Sequence, residues 1–238
     1  SAASDVYKRQ ALFWTIHIPL MLLFLAGLAD VASIWLRGGV EGAEVTSAWR
    51  KFLILLRRTL GAIFSRRFST ILRAFITEAW FNRRLWQTSR WRWLSHFLLL
   101  NGFLLLMTLS GLAALSEKVL NHFFRLGHIP WIAMWYTADH PATALLNEIG
   151  GVMMTAGLLF YTIRRYLVRP AQLRTGAMDN WMVAALWLIL LTGWITEIVR
   201  LNAGYEGPAP QMAFIGYPLS RLIYGWNLPW ESLHWWLF

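Results

Sequence analysis

Residues Trp93 to Leu115 read WLSHFLLLNGFLLLMTLSGLAAL, a run without one Asp, Glu, Lys or Arg. A helix of roughly 20 such residues covers the hydrocarbon core of a bilayer. The run is apolar around its whole circumference rather than along one stripe, which is the pattern of a span and not of a helix on a soluble core. Three more segments have the same character: Ala11 to Leu36, Pro141 to Ile163 and Trp181 to Val199. A fifth is expected to begin near Trp230, with the chain stopping as it starts.

Composition agrees. Of 238 residues, 57% are hydrophobic and 14% charged, against about a quarter charged in ordinary soluble domains. The formal charge of +10 does not point to nucleic acid, because the basic residues lie between apolar runs instead of spreading over one soluble face. With no cysteine, the stretch holds no disulfide, no iron–sulfur ligand set and no covalent c-type haem attachment. Ser1 to Gln10 differs in composition from the rest of the chain and is read as an assembly scar. Residues 11–238 then form one membrane domain that is expected to continue beyond Phe238.

The basic residues set an orientation. The 37–92 connection carries twelve Lys and Arg, 116–140 carries two (Lys118, Arg125), and 164–179 carries four. The last connection holds Arg221, with Arg200 at its edge. Alternation of high and low counts places the first and third of these connections in the cytoplasm and the N-terminus outside. The fold class expected is all-α: an integral membrane bundle of four complete spans and the start of a fifth. The inner connection adds a basic amphipathic helix over Arg66–Arg84, where Phe68, Ile71, Leu72, Phe75, Ile76 and Trp80 recur at helical spacing among arginines. Such a helix lies along a membrane surface or docks a soluble partner. Trp91 and Trp93 suit the headgroup layer at the start of the second span.

Ionisable residues at depth are costly and therefore informative. His96 stands about one turn inside the second span. Two readings are open: an axial ligand for a non-covalent haem, or a polar interface residue hydrogen-bonded to a neighbour. Gly102, six residues on, leaves room for a flat macrocycle or for a neighbouring helix. His17, before Pro19, falls near the opposite membrane face and reads as a polar residue beside a proline kink. His122, His128 and His140 receive no role. His234 opens the fifth segment, either as a haem or quinone contact or as a headgroup residue. Glu197 and Arg200, three apart, share a helical face as an ion pair that closes the helix end or meets a haem propionate or a quinone. Glu148 reads as a snorkelling residue or, alternatively, a proton-path carboxylate. Asp179 and Asn180 read as the N-cap of the fourth span.

Taken in order, Phe13-Trp14, Ser95-His96-Phe…Asn101-Gly-Phe103, Arg164-Arg165-Tyr166…Arg169-Pro170, Thr192-Gly193…Glu197…Arg200 and Leu233-His234-Trp-Trp resemble a known family. It is the haem b membrane domain of respiratory nitrate reductase gamma subunits and of heterodisulfide-reductase-like membrane subunits, in many bacteria fused to a cytoplasmic iron–sulfur part. The resemblance implies a five-helix, quinone-linked electron-transfer module in the cytoplasmic membrane of a bacterium or archaeon, with haem b held by histidines of the second and fifth helices. It makes His96 the haem-iron ligand and His234 at most the first of the fifth-helix ligands, the axial partner of His96 lying beyond Phe238. The nitrate reductase pattern has a further histidine deeper in the second helix. Leu104 to Thr108 holds none, so one haem is expected rather than two. Two alternatives come from elsewhere: the cytochrome b subunit of formate dehydrogenases and hydrogenases, in which His17 would gain a role, and a non-redox transporter or scaffold subunit with purely structural histidines.

Overall fold

The computed structural model describes residues 2–37, 47–136, 140–170, 176–203, 208–226 and 228. His234 and the expected fifth span lie outside the described residues, as do the side chains of Phe13, Trp14 and His17. All regular structure among the described residues is helical, and the chain is a multi-pass, all-α membrane protein. Residues 1–77 and 78–238 form two compact units.

In the first unit, helix α1 (Ala2–Leu36) contains the first expected span, with Pro19 inside it and an apolar stretch over Ile18–Ile34. Helix α2 (Ala48–Ile63) begins at Ser47, whose side chain accepts from the Arg50 amide at 3.4 Å. On α2, Trp49, Phe52, Leu53, Leu56, Leu60 and Ile63 repeat at intervals of three and four, with Arg50, Arg57 and Arg58 on the other side. This is a second basic amphipathic helix, beyond the one expected from sequence. The expected one is shorter than its pattern suggests. Helix α3 (Phe68–Ala74) continues as a π-turn over Phe75–Trp80 and stops. Asn82 takes a left-handed backbone (φ 49°), and its carboxamide accepts from Leu85 N to start α4 (Arg83–Thr88). Asn tolerates that conformation better than most residues because its short polar side chain bonds locally. Arg83 and Arg84 therefore belong to a separate helix in the second unit.

Three helices of the second unit are long and apolar enough to cross a membrane. Helix α5 (Arg90–Ala114) is capped by Ser89 and runs on as a π-turn to Asn121. A short connection with helix α6 (Pro130–Tyr136) leads to α7 (Pro141–Thr162). There His140 is the N-cap, its Nδ1 accepting from Ala142 N at 3.3 Å, and Pro141 fills the first turn, where a missing N–H costs nothing. Helix α7 continues as a π-turn over Ile163–Val168 and ends where Arg169 turns left-handed (φ 45°) before Pro170. Helix α8 (Ala177–Asn202) follows. Its N-cap is Gly176, not Asp179 or Asn180. Asp179 sits one turn in and accepts from Gly176 N at 2.9 Å, closing the first turn from the inside.

Helices α5 and α7 lie backbone to backbone. Ser95, Leu99, Gly102, Leu106 and Leu109 alternate by four and three along one face of α5. Ser95 Oγ donates to Gly157 O at 3.1 Å, and a methyl group on Gly157 would collide with the Leu99 main chain. In lipid no hydrophobic force drives helices together, so close approach through small residues supplies the packing. Gly102 is part of this seam. It admits the neighbouring helix, which decides between the two readings of that glycine.

Helix α8 is stitched to α7 by two equivalent bonds in antiparallel register. Trp194 Nε1 donates to Thr155 Oγ1 and Trp187 Nε1 to Thr162 Oγ1, both at 3.0 Å. Each threonine hydroxyl in turn donates to the carbonyl one turn before it, Gly151 and Leu158. Met154, Leu158 and Leu190 form the core between these bonds.

Candidate functional site: two cavities along one helix pair

At the arginine-rich end of the bundle, a cavity of about 480 Å³ opens between α4, α5, α7 and α8. Leu99, Leu100, Phe103 and Leu186 give it apolar walls, while Arg92, His96, Tyr161 and Arg164 provide its polar groups. The volume is that of a small-molecule or cofactor site. The ring of His96 is exposed rather than packed away, and among the described residues nothing hydrogen-bonds it. Its position follows from local sequence. Ser95 faces the α5–α7 seam, so the next residue on the helix turns about 100° away, into the cavity.

Below this cavity the helix ends are locked. Arg165, buried, places Nη2 2.6 Å from Asp179 Oδ2 and donates from Nη1 to the Tyr161 hydroxyl. Tyr166 OH donates to Asn180 Oδ1 at 2.7 Å. The pair the sequence offered as a cap is thus the anchor joining α7 to α8. Trp93 ties the start of α5 to the segment before it. It packs against Phe81, Trp86 and Phe97 at centroid distances of 4.9, 4.6 and 4.8 Å, and its Nε1 donates to Phe81 O at 2.6 Å. Trp91 is 70% exposed.

Toward the other end, Met154 separates the first cavity from a second of about 460 Å³. Its polar end holds Asn147, Glu148, Glu197 and Arg200. The ion pair expected from spacing is present and bidentate: Arg200 Nη2 to Glu197 Oε1 at 2.9 Å, and Nε to Oε2 at 3.1 Å. Planar guanidinium and carboxylate groups match best in this arrangement. A smaller cavity of about 200 Å³ continues past the pair toward Trp135 and Thr143.

Glu148 departs from expectation. It does not snorkel: it is 2% exposed. Its Oε1 accepts from Ile215 N at 2.6 Å and Gly216 N at 2.8 Å, at the start of helix α10 (Gly216–Leu222), which follows the short α9 (Pro208–Met212). The carboxylate thereby holds the segment after α8 down over the helix ends. Two backbone N–H groups at a helix start suit an anion, since both donors lack partners within the helix. No local pattern could have revealed this, because the partners lie 68 residues away in the chain.

Three of the other histidines, His122, His128 and His140, line neither cavity. His122 packs edge-on against Phe123, His128 Nδ1 approaches Arg125 O at 3.1 Å, and His140 caps α7. Among the described residues, no group of three or more His, Asp or Glu side chains could hold a metal ion.

No protein-family model and no solved structure matches the chain. Curated proteins do. Over 220 residues, 84% of this chain and 76% of the relative, it is 25% identical to the E subunit of the dihydromethanophenazine:CoB--CoM heterodisulfide reductase of Methanosarcina barkeri. The corresponding protein of Methanosarcina thermophila is 26% identical over 147 residues, and that of Methanosarcina acetivorans 25% over 131. The chain spans about half the length of these last two, 52% and 47%. Of the two branches of the resemblance, the similarity supports the heterodisulfide-reductase-like one: the chain is similar to the E subunit of such a reductase across most of its length.

Proposed function

We propose that this chain is a membrane electron-transfer subunit of a multisubunit reductase. It passes electrons between a membrane-soluble carrier of the quinone class and an iron–sulfur partner, separate or fused, on the cytoplasmic side, through one haem b bound at His96. The observation that carries the reading is the His96 imidazole, without a hydrogen-bond partner among the described residues, facing an apolar cavity of about 480 Å³ with Arg92 and Arg164 beside it. The relatives' names supply the reaction class: a reduced aromatic carrier on one side and a disulfide-reducing complex on the other.

The residues fit the group. His96 would hold the group's iron through a ring nitrogen, and Arg92 and Arg164 would supply positive charge for carboxylate substituents. The leucines and Phe103 keep water away from the macrocycle, which shapes its potential. Bound there, haem b contributes a one-electron iron couple. The chain's part is to fix position: the Gly102 and Gly157 contacts hold α5 against α7, and the Trp–Thr bonds hold α8, so the cavity walls keep their spacing. Under the positive-inside bias, the basic residues of the 164–179 connection would turn this cavity toward the cytoplasmic side, where the iron–sulfur partner would dock. The test is a reduced-minus-oxidised spectrum of membranes containing the full-length protein. A b-type signal supports the reading, and its absence in haem-replete cells contradicts it.

A further inference from the structure

Helix α2 turns its apolar side away from its own unit. Trp49, Phe52, Leu53, Leu56, Leu60 and Ile63 are 41–67% exposed. At about 100° per residue they fall within a single arc of about 100°. Arg50 and Arg57 border that arc on one side, and Gly61 lies across the helix from it. The helix rests on its unit by another side, where Lys51 is buried and Ile54 and Ala62 are half-buried. A continuous apolar stripe of this size marks an interaction surface.

Three observations choose the occupant. The first is charge: from Ser47 to Thr77 the chain carries seven Lys and Arg and no Asp or Glu, which is complementary to an anionic surface. The second is tethering. Only residues 37–47 separate α2 from α1, which contains the first expected span, so the stripe meets the bilayer at a high effective concentration, ahead of any soluble partner. The third is the pair of ends. Trp49 stacks on Phe52 at a centroid distance of 5.4 Å at the start, and Phe64 just past the last turn is 85% exposed. Aromatic side chains beside arginines are what an interfacial helix presents to the headgroup layer. We infer that α2 is an anionic-lipid site lying in that layer. Its apolar stripe enters the acyl boundary, and Arg50 and Arg57 reach up to lipid phosphates whose charge no choline or ethanolamine balances. The inference depends neither on the haem nor on the carrier.

The chain has no cysteine, so one introduced thiol carries one label. Leu56→Cys sets a bimane fluorophore in the middle of the stripe. Gly61→Cys sets it on the opposite side, where a Cβ meets nothing within 4 Å. Each labelled chain is reconstituted in nanodiscs of phosphatidylcholine and phosphatidylglycerol at one fixed composition, with brominated, quenching acyl chains on an equal amount of one lipid or the other. At position 56 both lipids are expected to quench, and brominated phosphatidylglycerol at least about twofold more strongly. Each basic residue near an anionic surface adds about fivefold to the attraction, which makes that margin a modest one. At position 61 neither should quench appreciably. Arg50→Gln combined with Arg57→Gln should bring the two lipids close to equal at position 56, while quenching by phosphatidylcholine persists and shows the helix still seated on the membrane. Equal quenching by the two lipids without those substitutions overturns the anionic recognition, and a preference that survives them removes Arg50 and Arg57 from the site. Absence of quenching at position 56 by either lipid means that another part of the chain, a second copy or a soluble partner covers the stripe, and overturns the inference outright.

Discussion

Gly102 lies so close to Met154 that a methyl group on its Cα would stand 2.5 Å from the Met154 nitrogen. No side-chain rotation relieves a clash with main chain, so the two helices must move apart. Gly102→Ala is expected to destabilise the protein by about 1–3 kcal/mol, the usual cost of overpacking. Gly111→Ala, on the same helix with nothing within 4 Å, serves as the control and should be neutral or slightly stabilising. Thermal unfolding in detergent measures both, and equal shifts in Tm would contradict the seam.

The two Trp–Thr bonds between α7 and α8 are direct interhelical hydrogen bonds within the spans. A double-mutant cycle of Trp194→Phe with Thr155→Val should show a coupling of about 0.6 kcal/mol, the average for such bonds in a membrane protein. Strict additivity would mean the bond contributes nothing.

Arg165 is 8% exposed and relies on Asp179, which is 42% exposed. Among the described residues its Nε has no partner, so the loss of Asp179 leaves a buried guanidinium held by the Tyr161 side chain. Asp179→Asn should cost about 1–3 kcal/mol, and it also weakens the contact to Gly176 that closes the first turn of α8. Combined with Arg165→Met, the penalty is expected to be less than additive, because the buried charge is gone. A fully additive pair of effects in unfolding experiments would argue against a shared interaction.

Glu148 ties α7 to the start of α10. Glu148→Ala removes the acceptor for two amides, and amide exchange at Ile215 and Gly216 should accelerate by about tenfold or more, the equivalent of roughly 1.4 kcal/mol of lost protection. Exchange within α5 should not change. Unaltered rates at 215 and 216 would show that something else holds the segment.

What was legible in the sequence divides by range. The second, third and fourth spans could be read because apolarity around a whole helix is a local property. The Glu197–Arg200 pair could be read because three residues of helix place two side chains together. The helices outrun the apolar spans: α5 continues past Leu115 to Asn121 and α7 past Ile163 to Val168, in each case by a π-turn that hydropathy does not register. The amphipathic helix at Ala48–Ile63 was legible too, in the three-and-four spacing of Trp49, Phe52, Leu53, Leu56, Leu60 and Ile63, although only the later basic segment was expected to form one. Non-local partners were out of reach. Depth in a span made Glu148 look like a residue reaching for water, whereas the amides of Ile215 and Gly216 come to it.

If His96 binds haem b, as proposed, removing its imidazole removes the haem spectrum. Full-length protein and its His96→Ala variant, expressed at matched levels in haem-replete membranes, are compared by reduced-minus-oxidised absorbance. With His96 as axial ligand, the b-type signal is lost or nearly so in the variant while the protein still elutes as a folded species. A variant that keeps the full signal would remove His96 from the haem and the first cavity from electron transfer.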